Sequence, residues 1–122
     1  MNSQCQFCKI IAGKAPASVV FENENLIAFS PLKEVSPGHT LLIPKRHFKD
    51  IFEMDEETMA LLGVAAKELS ELLTLKNSAT GINILHASGK DAQQSVFHFH
   101  LHIVPRYPSD NLDLWLKIDP IN

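Results

Sequence analysis

The sequence predicts an α+β fold, with an antiparallel sheet of about five strands, one long and one short helix, in a single domain spanning residues 1–122. Three observations lead there. Short β-rich runs follow one another at hairpin distance. One long stretch after Asp55 carries leucines at helical spacing. Histidines alternate with apolar residues in the run Val96 to Arg106, which reads Val-Phe-His-Phe-His-Leu-His-Ile-Val-Pro-Arg.

Taken in order, Phe7, Ile10 and Ile11 give a short helix one apolar side, and Gly13 can end it. Val19-Val20-Phe21 reads as a strand, Glu22 to Asn25 as a polar turn, and Leu26 to Phe29 as the returning strand. Pro31 stops ladder pairing. Lys33 to Gly38 is a loop with a Pro-Gly turn signal, and His39 to Ile43 is a third strand closed by Pro44. Lys45 and Arg46 fit either solvated loop charge or a phosphate contact.

Asp55 is a good N-cap, and Glu56 and Glu57 suit the positive end of a helix dipole. Leu61, Leu62, Ala65, Leu69, Leu72 and Leu73 then form a core-facing stripe, and Lys76 and Asn77 fit the C-terminal end. Ile82 to Leu85 is a fourth strand, 87–94 a polar turn around Gly89, and the histidine run the fifth strand. Pro108 to Asn111 ends regular structure, leaving Trp115 in a short tail.

On a strand, alternate side chains share a face, so His98, His100 and His102 line one side while Phe97, Phe99, Leu101 and Ile103 line the other. On a helix the rings would fan through about 400° over four residues. Neutral imidazoles in a row can bind a metal, move protons near neutral pH or attack as nucleophiles. A three-His zinc site with an open position and a nucleophilic histidine both fit this spacing. Cys5 and Cys8 are the only cysteines. A C-x-x-C pair fits a metal clip, a redox pair or two unbridged thiols in an apolar turn. Zinc would need two more ligands, and His47 and His98 are available.

Composition narrows the function. Eleven basic against fourteen acidic residues give a net charge of −3, which disfavours a nucleic-acid groove but not one small phosphate ligand. No apolar run approaches the roughly 18 residues a membrane span needs, and the first residues carry no basic-then-apolar signal. The expectation is a cytoplasmic protein without a membrane partner.

His98-Phe-His100-Leu-His102-Ile-Val-Pro-Arg106 resembles the signature of the histidine triad superfamily, H-φ-H-φ-H-φ-φ with φ apolar. The resemblance extends to Cys5-x-Phe-Cys8-Lys-Ile-Ile, Gly38-His39-Thr-Leu-Leu-Ile-Pro44-Lys-Arg-His47, Gly81-Ile-Asn83 and Gln94-Ser95-Val-Phe. It is nearest the Hint-like bacterial branch of nucleotide-binding phosphoramidases and hydrolases. The resemblance implies homodimers whose protomers share a continuous sheet, and cleavage at the α-phosphate of purine nucleotides. It implies that His100 attacks phosphorus and forms a nucleotidyl-histidine, that His102 donates to phosphate oxygens, and that Ser95 bonds the phosphate or leaving group. No catalytic metal is required by that chemistry. Gln94 would add donors, Phe7, Ile10, Phe29 and Leu32 would wall the base pocket, and Asn83 would belong to the substrate site. Cys5, Cys8, His47 and His98 would hold a structural Zn2+.

Three positions depart from the family pattern. Pro31 stands where relatives carry an Asp that accepts from the ribose hydroxyls, Ala87 where an Asn contacts phosphate, and Gln93 where a Gly precedes the Gln. Loss of a charge-assisted ribose contact costs roughly 1.5–3 kcal/mol, or about one to two decades in affinity. Nucleotide selectivity is therefore expected to be weakened or altered, an expectation that micromolar binding of AMP by calorimetry would sink. The alternative function is a degenerate nucleotide-binding or regulatory module with little turnover.

Overall fold

The computed structural model describes residues 4–117. Its elements run α1 (Gln6–Ile11), β1 (Val19–Glu22), β2 (Leu26–Phe29), β3 (Thr40–Pro44), α2 (Glu56–Asn77), β4 (Gly81–Leu85) and β5 (Leu101–Arg106), with a 3-10 turn at Lys90–Ala92. The five strands form one antiparallel sheet in the order β1-β2-β3-β5-β4. The expected fold class is the one found.

Sheet alternation builds two cores. Leu26, Ala28, Leu42, Phe99, Leu101 and Ile103 face α2, which covers them with Leu62, Ala65, Leu69 and Leu73. Fully burying such a leucine stabilises by roughly 1.5–3 kcal/mol. Ile27, Phe29, Leu41 and Ile43 point the other way and pack on Cys5, Phe7 and Cys8 of the N-terminal turn. β2 and β3 are thus buried on both faces, which is why they read as unbroken apolar runs. Leu61 and Leu72 lie at the margin of the stripe, 40% and 50% exposed.

Asp55 and Gly13 act where the sequence places them, and Cys5 and Ser78 are caps it did not mark. Asp55 Oδ1 accepts from Thr58 N–H at 2.7 Å. α2 ends at Ser78 in the left-handed region. Cys5 caps α1, its Sγ accepting from Cys8 N–H at 3.2 Å, and Gly13 ends the turn at φ 74°.

The histidine strand is shorter than expected. β5 begins at Leu101 rather than Val96, because its pairing with β3 and β4 starts at Leu101 and His102. Upstream the chain is tied to the loop after β3 instead: Phe99 N–H donates to Phe48 O at 2.7 Å, and the Gln94 side chain donates from Nε2 to Lys49 O at 2.7 Å. Faces still alternate from His98 to Ile103, but Phe97 is 47% exposed rather than in the core.

Candidate active site and metal centre

Although His98 and His100 precede the ladder, the three imidazoles still form a row on the α1 side of the sheet. The Phe7 ring lies edge-on to His98 at 5.8 Å and to His100 at 5.2 Å, and His100 and His102 have centroids 5.1 Å apart. Phe29 packs on Phe7 at 5.4 Å, and Ile10 packs against the same cluster.

His98, His100 and His39 each have their protons assigned by a main-chain partner that can only accept or only donate, and His39 in turn assigns those of His102. His98 Nε2 lies 2.8 Å from Pro44 O, so it carries the hydrogen. His98 Nδ1 then presents a lone pair toward Cys5 Sγ at 3.3 Å and Cys8 Sγ at 3.6 Å. His47 Nδ1 stands 3.3 Å from Cys8 Sγ. The four ligand atoms of Cys5, Cys8, His47 and His98 all lie within 4.8 Å of one another, and no other such group occurs among the described residues. Around a tetrahedral zinc, ligand atoms stand roughly 3.4–3.8 Å apart given Zn–S near 2.3 Å and Zn–N near 2.0–2.1 Å. Two thiols, two imidazoles, their spacing and the His98 tautomer all fit that ion. With His98 turned to the sulfurs, the three-His alternative loses a ligand.

His100 Nδ1 lies 2.8 Å from His98 O, so Nδ1–H donates and Nε2 keeps the lone pair. Val35 N–H donates to His39 Nδ1 at 3.2 Å, which places the His39 proton on Nε2. His39 Nε2–H then donates to His102 Nδ1 at 3.0 Å, which leaves His102 with its proton on Nε2. Side by side stand an imidazole with a free lone pair and one with a free N–H. Burial holds all three of these rings below the ordinary histidine range; His102 falls to about 4, its burial reinforced by His100, His39 and His86. Glu34 pulls His39 weakly the other way. All three are neutral near pH 7.

A family model described as the HIT domain matches residues 12–109. The chain belongs to the HIT domain family. Protein hit of Bacillus subtilis is 41% identical over 103 residues, covering 84% of this chain and 71% of that one. The crystal structure of a Zn-bound histidine triad family protein from Mycobacterium smegmatis matches with a TM-score of 0.87 at 37% identity, over 96% of this chain and 84% of that one. A hypothetical histidine triad nucleotide-binding protein from Sulfolobus tokodaii matches with a TM-score of 0.80 at 38% identity, over 95% and 78%.

Other expected site residues of this HIT chain are placed differently. Gln94 is buried and its amide is committed inside the protein: Nε2 donates to Lys49 O and Val96 O, and Oε1 accepts from Gly89 N–H. It braces the turn rather than offering donors. Ser95 is exposed and makes no side-chain hydrogen bond among the described residues. Leu32 stands free in solvent. Asn83 Oδ1 accepts from the Arg106 guanidinium at 2.8 Å, two residues of β5 beyond Val104 from the triad. Lys45 pairs with Glu22 at 2.7 Å, and Arg46 lies over Phe48 and near Asp55. Gln93 takes a left-handed conformation, φ 72°, so a side chain stands where a glycine carries no Cβ penalty.

Two histidines without an expected role prove to touch the row. His39 is a buried histidine whose ring bonds to His102. His86 meets the main chain of His100. The available signal was weak: His39 shares a face with Leu41, and only the register opposes Leu41 to His102.

Proposed function

We propose that this HIT protein is a nucleotide hydrolase that cleaves a phosphoramidate or related conjugate at the α-phosphate through a nucleotidyl-histidine on His100. The observation that carries the reading is the pair of opposed protonation states: His100 Nε2 with a lone pair, its tautomer fixed by His98 O, and His102 Nε2 with a proton, its tautomer fixed by the His39 ring that Val35 N–H orients. A neutral ring is nucleophilic without prior deprotonation.

In the first step His100 Nε2 bonds to phosphorus and the P–N bond to the amine breaks. The amine leaves with that electron pair and takes a proton from water. The remaining hydroxyl then bonds to phosphorus, and the P–Nε2 pair returns to His100. His98 O steadies the Nδ1–H as the ring becomes cationic, and His102 Nε2–H stabilises charge on the phosphoryl oxygens. Ser95, exposed in the segment just ahead of His98, would bond the phosphate or the leaving group. Phe7, Ile10 and Phe29 offer an apolar wall for a base. Cys5, Cys8, His47 and His98 would hold a structural zinc that ties the N-terminal turn to the residue whose carbonyl orients His100.

Homodimerisation is part of the same reading. β4 is an edge strand, and α2 exposes Val64, Leu72 and Leu75. Equilibrium sedimentation at the mass of one chain would remove it.

The test is amine release from an adenosine phosphoramidate, comparing the wild type with His100→Ala. Turnover abolished by the substitution is expected. Equal near-zero rates in both would sink the phosphoramidase reading and favour the binding module, for which Pro31 and the committed Gln94 already speak.

A further inference from the structure

His86 lies outside the triad and the metal group, and its bonds run in one direction. Its Nδ1 stands 3.0 Å from His100 O, a pure acceptor, so Nδ1 carries the proton. Its Nε2 therefore accepts, and the partner is the Ser88 hydroxyl. Ser88 Oγ in turn accepts from Ile51 N–H at 2.9 Å. The imidazole is also stacked on Phe99, with centroids 4.3 Å apart and planes 31° apart.

This arrangement sits where the sheet stops. The last β4–β5 pair is Leu85 with His102, and His86 is the next residue. Past that point the chain before β5 has no strand neighbour, yet it must hold His100. Phe99 N–H is tied to Phe48 O, and the His86 side chain supplies the bond to His100 O that a longer β4 would otherwise supply. The His100 ring is fixed by its bond to His98 O, so its aim follows the main chain of 98–100.

We infer that His86, held in its Nδ1–H tautomer by Ser88, is a positioning residue that sets the aim of His100 through its backbone carbonyl. The inference rests on His100 being the nucleophile. It touches neither substrate nor reacting atoms, so its loss acts on transition-state alignment more than on binding. Misplacement of a reacting group by about 1 Å can cost on the order of 10²-fold in rate.

The experiment uses the zinc-loaded full chain and adenosine phosphoramidate. His86→Leu keeps the bulk beside Phe99 and removes the donor. His86→Asn returns an amide N–H near the Nδ1 position. A fall in kcat of about ten- to a hundredfold in His86→Leu is expected, with KM within about twofold, and recovery to within about threefold in His86→Asn. An unchanged kcat in His86→Leu, or a His86→Asn variant that falls equally far, overturns the inference. Long-range 1H–15N correlation spectra of the wild type and Ser88→Ala give a readout independent of turnover. The Nδ1–H tautomer of His86 is expected in the wild type, with a mixture once Ser88 is lost; an Nε2–H wild type overturns the inference. A wild type that releases no amine defeats the phosphoramidase reading, and the tautomer then decides the positioning contact alone.

Discussion

Replacing His39 with leucine separates the donor relay from the nucleophile. His39 is only 4% exposed, accepts from Val35 N–H and donates to His102 Nδ1. Leucine fills a similar volume, so the change removes two hydrogen bonds and leaves Val35 N–H and His102 Nδ1 without partners. Each orphaned buried group costs about 1–3 kcal/mol, and both sites are partly buried, so a loss of about 2–4 kcal/mol of stability follows. For a domain of this size that is a fall of roughly 8–16 °C in Tm. His102 keeps its ring but loses the partner that fixes its rotation and tautomer. Deleting an oriented donor outright costs about 10²–10³ in kcat, so loosening one is expected to cost about 10–10². His39→Gln should restore most of the rate, because its amide Nε2 reaches the same point as the imidazole Nε2. Amine release and thermal melting on the three proteins make the assay. A folded His39→Leu protein with wild-type kcat would refute the relay, as would a glutamine variant as slow as leucine.

Other consequences of the same geometry can be checked together. Zinc at one ion per chain is expected by elemental analysis, lost in Cys8→Ser, with a lower Tm and a lower kcat because His98 serves both the metal and His100; full activity in a metal-free, folded protein would contradict this. His102 is depressed to about 4 from the ordinary 6.5 by burial, so the unfolded chain binds more protons between those values. Stability is therefore whole above about pH 6.5 and declines as pH falls toward 4, and equal urea midpoints at pH 7.5 and 5 would refute that. Gly38 has φ 90°, and a Cβ there would lie 2.6 Å from Asn77 Nδ2 and 3.1 Å from the Pro105 ring. Gly38→Ala is expected to cost about 2 kcal/mol through left-handed strain and that contact; an unchanged denaturant midpoint would count against it.

Much of the molecule was legible in the chain itself. Short apolar runs at hairpin distance, the Asp55 cap and the leucine stripe are local signals, and they determined five strands and α2. The spacing of Cys5 and Cys8 and the triad motif determined the chemistry available. What the tertiary structure alone decided was who meets whom across strands and loops. The start of β5 depends on where β3 and β4 run out of partners, which no property of Val96 to His100 encodes. Gln94 changed from expected ligand donor to brace because Lys49 and Val96 carbonyls lie within its reach. His39 acquired its relation to His102 through strand register, and His86 its relation to His100 through the end of β4. Tautomers belong to the same class: an imidazole is symmetric in the sequence, and only a fixed carbonyl or N–H beside one nitrogen makes the other a nucleophile, a donor or a ligand.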